Sequence, residues 1–135
     1  MKQCNKCKKE LTKIDFHKDK DKQDGLSTIC KTCKYEYSHS EIGLFNQYKA
    51  RCKKYKREFT ISLEFFTKER HKPCKYCSVK DAGGLDREDN NIGYTPENAV
   101  PCCFTCNWMK RNLTVDEFTN HIMKILFNFI HKNRT

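Results

Sequence analysis

Eight of the ten cysteines fall in four Cys-x-x-Cys pairs: Cys4 and Cys7, Cys30 and Cys33, Cys74 and Cys77, Cys103 and Cys106. Two consecutive pairs make one four-thiolate site, so the pattern predicts two zinc ions, the first on Cys4, Cys7, Cys30 and Cys33, the second on Cys74, Cys77, Cys103 and Cys106. The two sulfurs of a Cys-x-x-Cys turn converge on one point about 2.3 Å away, which suits tetrahedral zinc. The gaps of 22 and 25 residues between paired turns slightly exceed the usual zinc-ribbon range. A redox motif or a disulfide framework would be the competing readings. Four pairs without a strand–helix–strand pattern, in a chain with no secretory signal pattern, favour reduced thiols and metal. Cys52 and Cys102 are left over and read as small buried residues.

A thin apolar complement makes such staples necessary. In 135 residues, 37% are hydrophobic and 33% charged, too few apolar groups for a large core. The formal charge of +10 draws the chain toward polyanions, because each Lys or Arg that neutralises a phosphate releases a condensed counterion. No stretch of 18 apolar residues occurs, so no membrane span is expected, and the lack of a signal-peptide pattern leads to the expectation of an intracellular, non-secreted chain whose thiols stay reduced.

Along the chain, residues 1–40 are expected to form the first zinc module, with a tight return at Gly25. Residues 41–58 form a basic connector helix. Its apolar stripe is Ile42, Phe45, Tyr48, Cys52 and Tyr55. Its other faces carry Lys49, Arg51, Lys53, Lys54, Lys56 and Arg57, six basic residues within nine positions and no acid among them. Tyrosines are interleaved, as expected of a helix that tracks phosphates. In residues 59–112, Phe59–Ile61 suggests a short strand, Ser62 caps a short helix to about Glu69 that buries Leu63 and Phe66, and 83–101 read as a twisted hairpin. A helix is expected to start near Cys106. Residues 113–135 form a last helix opened by the capping box Thr114-x-x-Glu117, whose stripe of Phe118, Ile122, Ile125 or Leu126, and Phe129 should face the core.

The stretch Gly84-Leu85-Asp86-Arg87, followed by Gly93-Tyr94-Thr95-x-x-Asn98-x-Val100-Pro101-Cys102-Cys103-x-x-Cys106-Asn107-x-x-Lys110, resembles the HNH (His-Me finger, ββα-metal) nucleases. The likeness is to their zinc-knuckle branch, which includes endonuclease VII-type phage proteins and a compact restriction enzyme with two four-cysteine motifs. It spans most of the chain from about Tyr48 to Phe118. It implies a small zinc-stabilised α+β fold: a ββα-metal core with a zinc-ribbon-like N-terminal module and flanking helices. It also implies that Asp86 on the first strand and Asn107 on the helix hold one Mg²⁺ or Mn²⁺, hard cations that keep several waters and accept phosphate oxygens. Asn98 would brace the loop by hydrogen bonds, and Lys110 would reach a neighbouring phosphate.

One departure from the family pattern concerns the base. Where a histidine usually follows the strand aspartate, this chain has Arg87, and a guanidinium cannot remove a proton. Arg87 would instead clamp the scissile phosphate, leaving the base to His71, His39, Tyr48 or Tyr55, of which Tyr55 lies near the histidine of the restriction-enzyme relative. The resemblance thus implies a divalent-metal-dependent endonuclease acting on double-stranded DNA, of homing, phage, restriction or resolvase type. Two-strand cleavage would call for a homodimer or sequential nicking. The competing expectations are a non-cleaving zinc DNA-binding protein on a degenerate HNH scaffold, and an RNA- or ribosome-binding zinc protein.

Overall fold

The computed structural model describes residues 1–132. The final three residues of the expected C-terminal segment 113–135 lie outside the described part. The chain forms two compact units, residues 1–48 and those from Lys49 onward.

In the first unit, β1 (Lys2–Gln3) and β2 (Glu10–Leu11) pair antiparallel on either side of the first Cys-x-x-Cys turn. After a 3-10 turn at Lys13–Asp15, β3 (Phe16–Lys18) and β4 (Leu26–Cys30) form a hairpin that leads directly into α1 (Lys31–Ser38). Gly25, at φ 69°, supplies the left-handed residue of the return. The core is small, as the composition predicts: Cys4, Phe16, Cys30 and Cys33, with Leu11, Leu26 and Ile29 against them. The turn from α1 into α2 (Glu41–Lys54) is tight enough to exclude a side chain at Gly43, where a Cβ would lie 1.7 Å from the Tyr37 carbonyl oxygen.

The second unit begins within α2. Ser62 caps α3 (Leu63–Arg70) by accepting from the Phe65 amide at 3.1 Å. Phe66 is fully buried, but Leu63 stays exposed, contrary to the expectation that both are covered. A first-turn residue of a two-turn helix has no layer above it. The expected strand at Phe59–Ile61 is reduced to one bridge between Phe59 and Tyr94, closed by Tyr94 N–H to the Glu58 carbonyl and Thr60 N–H to the Tyr94 carbonyl, each 3.0 Å. Gly93 permits that approach, since a Cβ there would meet the Glu58 oxygen at 2.0 Å.

The central hairpin is β5 (Leu85–Arg87) with β6 (Ala99–Pro101), antiparallel, Asp86 opposite Val100. Both strands touch α3. The next helix, α4 (Phe104–Lys110), starts two residues before the expected Cys106, because the Cys103 sulfur caps it. Last comes α5 (Val115–Lys132), whose capping box is formed: Thr114 N–H donates to Glu117 at 2.8 Å and Glu117 N–H to the Thr114 hydroxyl at 3.2 Å. The expectation for its apolar stripe fails. Phe118 is buried, but every described residue from Thr119 onward is exposed, including Ile122, Ile125, Leu126 and Phe129. The helix is longer than the unit it packs on.

Candidate metal centres and active site

The same local construction occurs twice. In each unit a left-handed, non-glycine residue directly follows the first Cys-x-x-Cys turn: Lys8 at φ 61° and Ser78 at φ 61°. It lets the turn close, with Lys8 N–H donating to the Cys4 carbonyl at 2.9 Å and Ser78 N–H to the Cys74 carbonyl at 2.8 Å. A hairpin then delivers the second pair to a helix start. There Cys30 caps α1 and Cys103 caps α4, each sulfur accepting from the backbone N–H three residues on.

Both four-cysteine groups fit zinc. Within each, the sulfurs lie within 4.8 Å of one another. Cys77 Sγ and Cys103 Sγ are 3.7 Å apart, close to the edge of about 3.8 Å that a tetrahedron with 2.3 Å metal–sulfur bonds requires. Electrostatics agree with the geometry. The amide N–H of Cys30, then those of Cys7 and Lys6, hold the Cys4 thiol down to about 6. Burial pushes against ionisation of Cys74, but the amides of Cys103, Cys77 and Tyr76 outweigh it and bring that thiol to about 6. The later thiols go the other way: burial and the neighbouring sulfurs push Cys33 up to about 12 and raise Cys106. Four thiolates cannot share so small a volume without a cation between them. Cys52 and Cys102 are buried outside both groups.

Beside the second group lies the hairpin–helix site. Cys103 and Cys106 fix the start of α4, and the Asn107 amide reaches the Leu85 carbonyl on β5 at 3.5 Å, one residue from Asp86. The Asp86 carboxylate is 4% exposed. Its Oδ2 accepts from the Tyr76 hydroxyl at 2.9 Å and ion-pairs with Lys110 Nζ at 3.0 Å. Burial and that carboxylate raise the Tyr76 phenol, so it remains a donor at any working pH. Lys110 Nζ also donates to the Arg87 carbonyl at 3.1 Å.

Two expectations are corrected here. Lys110 is fully buried, so it is no surface cation for a neighbouring phosphate. It sits one helical turn from Asn107 and is drawn in by the strand carboxylate. Arg87 is 8% exposed and its Nη1 donates to the carbonyls of Asn90 at 2.6 Å and Ile92 at 3.2 Å. That nitrogen braces the hairpin loop rather than presenting a clamp to solvent. Asn98 grips the same loop: Nδ2 donates to the carbonyls of Asp89 and Gly93, both 2.9 Å, and Oδ1 accepts from the Asp89 amide at 2.8 Å.

Among the candidate bases, His71 has Nδ1 2.9 Å from Asp81 and Nε2 2.9 Å from Arg70. His39, in the first unit, stacks on Tyr35. Tyr48 is half-buried. Tyr55 is 54% exposed just past α2, with Lys54 and Arg57 over its ring at 5.5 and 5.0 Å. Lys49, Arg51, Lys53, Lys54, Lys56 and Arg57 all face solvent. Sequence reasoning missed Tyr76 as the partner of Asp86. Its signal was its place inside the second zinc turn, which fixes it close to the hairpin.

No protein-family model matches the chain. An uncharacterized protein of Acanthamoeba polyphaga mimivirus is 33% identical over 102 residues, 72% of this chain. The chain spans about a fifth, 19%, of the length of that curated relative. Among solved structures, the rare-cutting HNH restriction endonuclease PacI matches with a TM-score of 0.50 and 22% identity, covering 98% of this chain and 99% of its own. The chain shares the fold of that endonuclease. Within that HNH fold, Asp86 lies on the first strand of the ββα hairpin, and Asn107 and Lys110 on its helix. No helix among the described residues is long and apolar enough to cross a membrane.

Proposed function

We propose that this protein binds double-stranded DNA and hydrolyses its phosphodiester bonds as a divalent-metal-dependent HNH endonuclease, leaving 3′-hydroxyl and 5′-phosphate ends. The observation that supports the reading is a buried strand carboxylate, Asp86, next in sequence to the Leu85 carbonyl to which the Asn107 amide donates at 3.5 Å, with Asn107 directly following a cysteine of the second four-sulfur group. The donor set suits Mg²⁺ or Mn²⁺. Both side-chain contacts described for Asp86 fall on Oδ2, and the Asn107 amide adds a neutral oxygen. A cation held there would offset the charge that builds on the scissile phosphate and its leaving oxygen.

The chain's own residues do the rest. Tyr76 and Lys110 fix the rotamer of Asp86, and Asn98 with Arg87 holds the loop that joins the two strands. The six solvent-facing basic residues of 49–57 track the DNA backbone, and Tyr55, flanked by Lys54 and Arg57, takes the proton of the attacking water. Incubation of supercoiled plasmid with Mg²⁺ or Mn²⁺ should give nicked product. That product should be absent in EDTA and reduced at least a hundredfold in Asp86→Ala and Asn107→Ala. Nicking unchanged in both variants would remove the assignment.

One observation favours a second reading, a non-cleaving nucleic-acid-binding protein on this scaffold. Lys110, wholly buried, already gives Asp86 a counter-charge at 3.0 Å. In that case, plasmid binding is salt-sensitive, no nicking occurs with any divalent cation, and competition between duplex DNA and structured RNA identifies the ligand.

A further inference from the structure

From Thr119 to Lys132 no residue of α5 is buried, yet this stretch carries Ile122, Met123, Ile125, Leu126, Phe127, Phe129 and Ile130, between 36% and 66% exposed. At 100° per residue these side chains span about 200° of the helix circumference, and the opposite arc of about 160° carries Asn120, His121, Lys124, Asn128, His131 and Lys132. A helix with so wide an apolar face ordinarily buries that face against other protein. At the root of α5 lies an apolar groove of about 800 Å³, whose lining includes Tyr76, Val79, Met109, Val115, Phe118 and Ile122. One end of the helix thus borders a groove, and the other end carries an apolar segment that no other described residue buries.

We propose that α5 is a dimerisation element, pairing antiparallel with α5 of a second copy of this chain. The Leu126–Phe129 end of each helix then lies over the groove of the other.

Two features select this occupant. The first is charge. Asp116 and Glu117 occupy the first turn of α5, and His131 and Lys132 the last. An antiparallel pair sets each acidic end near the partner's basic end and opposes the two helix dipoles, whereas a parallel pair sets like beside like. The second is area. Seven side chains of up to roughly 200 Å² each, about half exposed, leave at most about 700 Å² per copy. Two copies then offer at most about 1,400 Å² from these side chains, enough to reach the range of stable interfaces when the groove is covered as well. The contact is isologous, so it closes at two copies and does not propagate.

This inference is independent of the nuclease reading, because its test measures mass rather than cleavage. Zinc-loaded protein at micromolar concentration is examined by sedimentation or by light scattering after gel filtration. The wild-type chain should run at twice its 16.1 kDa. Ile125→Asp and Phe129→Asp, both at exposed positions, should give monomers that keep two zinc ions. Leu126→Ala, milder and harmless to helix propensity, should raise the dimer dissociation constant about tenfold. A wild-type monomer at 100 micromolar would overturn the proposal. So would a dimer that persists in all three variants, since that places the contact on another face.

Discussion

At the scale of single residues, the buried pair of Asp86 and Lys110, with the half-buried Tyr76 beside it, is the most consequential arrangement in the second unit. A charge in so dry a place is tolerable only when paired. Lys110→Met should therefore cost about 3–5 kcal/mol in urea unfolding at saturating zinc. Most of that loss should return in the double variant Asp86→Ala with Lys110→Met, since the orphaned carboxylate is then gone too. Tyr76→Phe removes one hydrogen bond to a charged acceptor and should cost about 1.5–3 kcal/mol in the same assay. Gly93→Ala has no room beside the Glu58 carbonyl and should lower the midpoint further than Gly83→Ala, where the space is open but φ is 77°. Lys110 also marks where residue-by-residue reading stopped short. Its spacing from Asn107 was visible in the sequence. Its burial was not, because nothing in a linear pattern shows that a lysine stem will cross a strand to meet a carboxylate.

At the scale of elements, most starts and stops were legible because local chemistry sets them. Ser62 and the Thr114/Glu117 box open their helices as expected, the Gly25 return closes its hairpin, and the zinc pairs stand at their places. Non-local choices were harder to read. The Phe59 segment needed a ladder partner and found only Tyr94 for one bridge. The helix expected from Cys106 starts two residues earlier, because the Cys103 sulfur caps it. The apolar stripe of α5 was legible as a stripe, but whether its own unit is broad enough to cover it is a property of the folded volume. The cap of α5 makes a pH prediction. Hydrogen bonds from the Thr114 amide and hydroxyl hold the Glu117 carboxyl below the usual carboxylate range. Its stabilising effect is complete above the ordinary glutamate range and is lost as pH falls through the lowered folded value. Helical ellipticity should therefore decline on that acid limb, and Glu117→Gln should flatten it.

At the scale of the whole molecule, two units, each built around a four-cysteine group that fits zinc, replace the single apolar core that 37% hydrophobic residues cannot supply. Elemental analysis should find about two zinc ions per chain. Cys7→Ser should lose one of them while the Cys74 group keeps the other, as read by a colorimetric chelator titration. A single zinc lost together with both units' structure would show that the sites are not separate. One feature of those centres reaches further. Cys30 and Cys103 each cap a helix and belong to a four-cysteine group that fits zinc, so the atom that would hold the ion also anchors the first turn of a helix. An oxidant that reaches the exposed sulfur of Cys77 can release the metal, and α4 then loses its anchor. Asn107, the next residue after Cys106, is set adrift from the strand it faces. Peroxide could thus disarm the carboxylate–amide pair without reacting with either member of it.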